Sequence, residues 1–187
     1  MELCDDHLFN YFSKKNKPYN PEEIREILNQ LNNSFKIMAE KKLVHGGLNF
    51  GKILIKYESQ NQIIFKLNYY GFIKKLNIFS KEIYDSKYRF FAPEILKREN
   101  YNEKCDLWSL GVIIYVLCFR QYPYNENTEN SILSQIIKEG QKVFKKTNDH
   151  NLDNLIKKLL NPEPEKRLSW EEYFNHPFFK NDLKNYG

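Results

Sequence analysis

Hydrophobic positions along the chain keep to helical, strand-like and aperiodic stretches in turn. Ile24, Ile27, Leu28, Leu31, Phe35 and Met38 recur at helical spacing and predict a long helix ending near Glu40 or Lys41. Asn20 is placed to cap it, Pro21 suits its first position, and Glu22 and Glu23 face the positive end of its dipole. Two short extended runs follow, 52–57 and 62–67. The polar stretch Glu58-Ser59-Gln60-Asn61 between them gives the pattern of a β-hairpin. From Tyr70 to Tyr88 the periodicity disappears, which predicts a long surface segment. Helical patterns return over 104–119, 129–139, 152–160 and 170–174, and Pro177 stops the last of them. The expected fold is mainly α, one hairpin among many helices.

Composition narrows the class without changing that picture. The 187 residues are 41% hydrophobic, 16% aromatic and 28% charged, a mix that suits one globular domain and excludes a disordered tail. The net charge of +5 comes from 29 basic and 24 acidic residues, and the lysines are scattered as pairs such as Lys14-Lys15, Lys41-Lys42, Lys74-Lys75 and Lys157-Lys158. Such scatter reads as a solvated surface, so no nucleic-acid partner is expected. The apolar run Leu110–Phe119 is far short of the roughly 18 residues a membrane helix needs. No membrane association is expected. Cys4, Cys105 and Cys118 fit neither a zinc cluster nor a disulfide framework, which points to reduced thiols and a cytoplasmic protein.

Six short motifs then fall in one order. Val44-His45-Gly46-Gly47-Leu48-Asn49-Phe50-Gly51-Lys52 precedes a strand, and Lys66-Leu67-Asn68-Tyr69-Tyr70-Gly71 follows it. Ala92-Pro93-Glu94 and Asp106-Leu107-Trp108-Ser109-Leu110-Gly111 come next. Pro164-Glu165-Lys166-Arg167 and His176-Pro177-Phe178-Phe179 close the series. Together they resemble the eukaryotic protein kinase family, with its catalytic loop, D-F-G, A-P-E and central-helix signatures.

The resemblance implies the family's C-terminal lobe, with the N-terminal lobe absent. It divides the chain into a hinge at 1–7, a degenerate catalytic loop at 44–55, an activation segment at 69–94 and a helical subdomain at 95–180. It also implies a scaffold role for His45, Tyr70, Gly71, Ala92, Pro93, Glu94, Asp106, Trp108, Gly111 and Arg167. In it Glu94 pairs with Arg167, and Asp106 accepts from backbone around His45 and Gly46. Met1, Leu3, Leu8 and Leu54 would face a nucleotide. The hydrophobic face around Leu8, Ile53 and Leu54 is expected to be uncovered, and so to bind a protein partner or a second copy.

Four positions depart from the family's chemistry. By the resemblance, Gly47 stands where an Asp positions the substrate hydroxyl, and Asn49 where a Lys steadies the γ-phosphate. Lys52 and Tyr69 stand at the metal-binding Asn and Asp. A glycine offers no base, an ammonium cannot ligate Mg²⁺, and a phenol is neutral near pH 7. The expectation is therefore a pseudokinase, a binding or scaffolding module with no enzyme activity and no cofactor. An active fragment of a serine/threonine protein kinase, using Mg-ATP, is the alternative. A decoy that occupies the partners of an active relative is a third reading. Ser80, Tyr84 and Ser86 fall in the activation segment as possible phosphorylation positions.

Overall fold

The computed structural model describes residues 3–58, 62–68, 85–124, 126, 128–140 and 144–180. Three antiparallel strands, β1 (Asp6–His7), β2 (Ile53–Tyr57) and β3 (Ile63–Leu67), form one small sheet in that order. Seven α-helices are described around it: α1 (Leu8–Lys15), α2 (Pro21–Glu40), α3 (Pro93–Leu96), α4 (Lys104–Phe119), α5 (Glu129–Glu139), α6 (His150–Leu159) and α7 (Trp170–Phe174). The mainly helical fold with one hairpin agrees with the hydrophobic pattern. Among the described residues, no helix is long and apolar enough to cross a membrane.

α2 starts where its caps place it. The Asn20 side chain accepts from the Glu23 amide at 2.9 Å and the Glu23 carboxylate accepts from the Asn20 amide at 2.9 Å, a reciprocal capping box. Ile24, Ile27, Leu28, Leu31, Phe35 and Met38 are all buried. α4 differs because it is buried on every side: residues 105–118 are all in the core. At Gly111 a Cβ would come within 2.8 Å of Leu159 Cβ, so the absent side chain is what lets α6 pack directly against α4.

The sheet follows the pleat. Ile53 and Ile55 are fully buried, while Leu54 and Lys56 point to the other, half-covered face. Among the described residues β3 is an edge strand, and α2 covers it: Gln30 Nε2 donates to Ile63 O at 3.2 Å and Gln30 Oε1 accepts from the Phe65 amide at 2.9 Å. One amide side chain thus takes the place of a neighbouring strand.

Two details differ from the sequence reading. α6 begins at His150, not Leu152, because Asp149 accepts from the Leu152 amide at 2.9 Å and starts the helix earlier. Leu8 and Ile53 are 0% exposed and so do not form part of the uncovered apolar face expected around them, while Leu54 is half-buried. Leu8 begins α1 and turns into the core beside Ile53, which the pleat of β2 directs inward.

Candidate functional site

The candidate site is the loop 44–55 together with what holds it from below. Asp106, in the first turn of α4, is buried and takes two backbone amides of the loop. His45 N–H donates to Oδ2 at 2.7 Å and Gly46 N–H donates to Oδ1 at 2.8 Å. Gly46 has φ +68°, a left-handed conformation that a residue without a Cβ adopts freely. Burial pushes the Asp106 carboxyl up to about 6, against the downward pull of those two amides.

The His45 ring is buried beside them and its Nε2–H donates to Asn68 O at 3.1 Å, since a carbonyl can only accept. Burial, and to a lesser degree the Lys52 charge, lower its proton affinity and keep it neutral.

The positions that depart from the family have local roles of their own. Asn49 caps a short 3₁₀ turn, Phe50–Lys52, accepting from the Gly51 amide at 2.8 Å and donating to Gly47 O at 3.0 Å. Lys52 closes that turn: its amide donates to Asn49 O at 3.0 Å and its carbonyl accepts from the Asn68 amide at 2.8 Å. Its side chain is half-buried. A Cβ added at Gly47 would meet none of the described residues within 4 Å, so they leave room for a side chain there.

The second anchor lies at the far end of the segment. Glu94, in α3 behind Ala92 and Pro93, pairs with Arg167 through two parallel bonds, Nη1 to Oε1 at 2.7 Å and Nη2 to Oε2 at 3.0 Å. Arg167 is 1% exposed and also donates to Asn161 O at 3.0 Å and Lys104 O at 2.8 Å. Its guanidinium lies 5.2 Å from the ring centroid of Trp108, which stacks in turn on Tyr124.

The structure therefore brings His45, Gly46 and Asp106 together in one cluster, and Ala92, Pro93, Glu94, Trp108 and Arg167 in another. Gly111 serves packing alone. Two contributors escaped the sequence reading. Ser109 Oγ donates to Phe90 O at 2.7 Å, fixing the 3₁₀ turn Asp85–Phe90 onto α4. Lys104 Nζ donates to Pro164 O at 3.0 Å and Arg167 O at 3.2 Å. Ser109 could have been found within the Asp106–Gly111 motif; for Lys104 the sequence holds no signal.

The nucleotide-facing set does not assemble. Leu8 is in the core, Leu54 is half-buried and Leu3 is 89% exposed. Met1, Tyr69, Tyr70, Gly71, Ser80 and Tyr84 lie outside the described residues.

Chemically, segment 41–57 carries no Asp or Glu. Asp106 and Asp5 reach it through backbone amides, Asp106 with both oxygens and Asp5 Oδ2 from the Tyr57 amide at 2.8 Å, so both are structural anchors. Among the described residues no group of three or more His, Cys, Asp or Glu side chains could hold a metal ion. With an ammonium at Lys52 as well, these residues do not fit Mg²⁺.

Residues 1–179 match the protein kinase domain family. The chain is similar to the serine/threonine-protein kinase atg1 of Dictyostelium discoideum, 33% identical over 177 residues covering 94% of this chain and 26% of that protein. It is also similar to the serine/threonine-protein kinase ATG1c of Arabidopsis thaliana, 30% identical over 166 residues covering 87% of this chain and 22% of that protein. The chain thus spans about a quarter of the length of these relatives. The matches overturn the expectation of a non-enzyme drawn from Gly47, Asn49, Lys52 and Tyr69, because the proteins it resembles over nearly its whole length are serine/threonine protein kinases.

Proposed function

The chain belongs to the protein kinase family, and from that premise we propose that it forms the C-terminal lobe of a serine/threonine protein kinase whose ATP-dependent phosphotransfer runs without a carboxylate at position 47. The observation that carries the reading is the likeness to serine/threonine kinases across 94% of the chain. The two anchors support it, since both serve to position backbone. Asp106 fixes the loop 44–49 and the Glu94–Arg167 pair fixes the end of the segment before α4.

Phosphoryl transfer passes through a loose transition state in which positioning and charge stabilisation supply most of the catalysis. A missing general base by itself lowers the rate by about 10²–10⁴, and the departures at Asn49, Lys52 and Tyr69 lower it further. ATP is the proposed phosphoryl donor, and the activity is assigned to the whole protein that carries this chain. The cytoplasm is the proposed compartment, supported by three cysteines that are all free, two of them buried.

The test is incorporation of γ-phosphate from radiolabelled ATP into serine and threonine of a generic protein substrate by the natural-length protein. Slow transfer is expected, rising about 10²-fold in Gly47→Asp, which position 47 has room to accept. No incorporation by either the parent or Gly47→Asp would overturn the reading.

A further inference from the structure

The closing motif His176-Pro177-Phe178-Phe179 folds as a short 3₁₀ turn, Pro177–Phe179, with His176 as its cap. His176 and Phe178 are both buried. The imidazole is engaged at both nitrogens. Nδ1 accepts from the Phe178 amide at 3.3 Å, which places the ring proton on Nε2, and that N–H donates to Asn154 Oδ1 of α6 at 3.0 Å. From α2, Arg25 Nε donates to Phe178 O at 2.8 Å, and its guanidinium lies 4.7 Å from the centroid of the Phe178 ring. Among the described residues, these two polar bonds, from His176 and from Arg25, hold the turn to α6 and α2.

A second proton on the ring undoes this arrangement from within the turn. Nδ1 becomes a donor facing another donor, the Phe178 N–H, and the bond between them is lost. The surroundings resist that proton. Burial disfavours the charged ring, and Lys158 of α6 adds a like charge. Arg25 of α2 is a further cation on the turn, paired at 3.4 Å with Asp149, the N-cap of α6. From α7, Glu172 is exposed and feels Lys158, while Tyr173 is a buried phenol that donates to Asn32 Oδ1 and that burial keeps neutral. Lys180, at the end of the turn, is exposed. The ring therefore stays neutral down to about 4, against an ordinary value of 6.5. Burial of Phe178 keeps the turn closed at neutral pH.

We propose that His176 is an acid-released latch: protonation of its ring frees residues 176–180 from α2 and α6 while the rest of the fold stays closed, uncovering Phe178 and Phe179. Opening of this kind draws on a few local bonds and not on the whole fold. It is independent of phosphotransfer. Asp106, whose titration works in the opposite sense, lies in another cluster beneath the loop 44–49, so it does not mask an opening read at the turn itself.

The experiment is hydrogen exchange read by mass spectrometry on the natural-length protein between pH 6.5 and 4, with each rate referred to that of an unstructured peptide at the same pH. Across this window the released ring holds a proton that the latched ring refuses, so opening becomes about tenfold easier per pH unit and about a hundredfold easier over the range. Protection at Phe178 is expected to fall by that factor, while protection at His45 and Gly46 does not fall with it. His176→Gln, which has no titrating ring, is expected to show no such fall. Equal loss at the turn and at the loop would mean general unfolding and would overturn the latch. Constant protection at Phe178 in the parent, or the parent's pH dependence persisting in His176→Gln, would overturn it as well. If that variant does not fold, the comparison of turn with loop in the parent decides alone.

Discussion

At the scale of single residues, the two buried charges of the site do opposite work from a common cause. Arg167 is enclosed and satisfied on every side, by Glu94 and by the carbonyls of Asn161 and Lys104. Truncation to alanine leaves the Glu94 carboxylate buried with its partner gone, which typically costs about 3–5 kcal/mol. We expect a loss of that size for Arg167→Ala in urea denaturation; a near-neutral result would remove the pair from any account of stability. Asp106 anchors two amides instead of a cation. In Asp106→Asn the amide group presents a donor to one of those N–H groups, so at least one bond is lost. The expected signature is faster hydrogen exchange at His45 and Gly46, with about 1–3 kcal/mol of global destabilisation. Unchanged protection of both amides would contradict the role assigned to Asp106.

Elements show how local signals and long-range contacts divide the work. The bounds of α2 were readable because the cap at Asn20 and the apolar period lie within twenty residues of sequence. So was α4, by its hydrophobic run. The covering of β3 was not readable, because Gln30 lies more than thirty residues from the two backbone groups it satisfies. Gln30→Ala strips those groups of their partner and bares an edge. Two neutral hydrogen bonds are worth about 1 kcal/mol each, so a loss of about 2 kcal/mol is expected, with increased self-association by light scattering. At the α4–α6 contact, Gly111→Val would drive a side chain into Leu159 and Leu160. Overpacking of that kind costs about 1–3 kcal/mol, and a thermal melt at or above the parent's would show that the two helices can move apart freely.

For the whole molecule, the response to acid is set by groups that pull in opposite directions. His176 is buried, donates through Nε2 to Asn154 Oδ1 at 3.0 Å and accepts through Nδ1 from the Phe178 amide at 3.3 Å. That arrangement requires the neutral ring. Burial first, and then the Lys158 charge, lower its pKa from 6.5 to about 4. Between those values the unfolded chain holds a proton that the folded chain refuses, so stability from His176 is lost as pH falls through this window. Asp106 is the reverse case, raised from 3.8 to about 6. The folded chain holds the extra proton there, and its contribution declines as pH rises from about 4 to 6. The two are of similar size, each on the order of 3 kcal/mol at 1.36 kcal/mol per unit, so over pH 4–6 they largely offset one another. In His176→Gln the Asp106 effect stands uncovered. Melting temperatures taken across this range are expected to fall less steeply toward acid in the variant than in the parent. Parallel curves would dismiss His176 as a contributor.

What the sequence by itself determined was family, element type and the chemical identity of each position. Helical period, capping residues and the ordered motifs are short-range properties written in neighbouring letters. By the resemblance, the same letters place Gly47 at the position of the base and Lys52 and Tyr69 at those of the metal ligands. Packing decided the rest. That Leu8 and Ile53 face inward, that Ser109 holds Phe90, and that Arg25 of α2 donates to Phe178 O at 2.8 Å near the other end of the chain depends on which surfaces meet. Such contacts join residues far apart in sequence, and hydrophobicity alone says that a side chain is buried, not against what. The hold of Asp106 on the loop likewise became a physical property only once α4 had placed its carboxylate beneath the His45 and Gly46 amides.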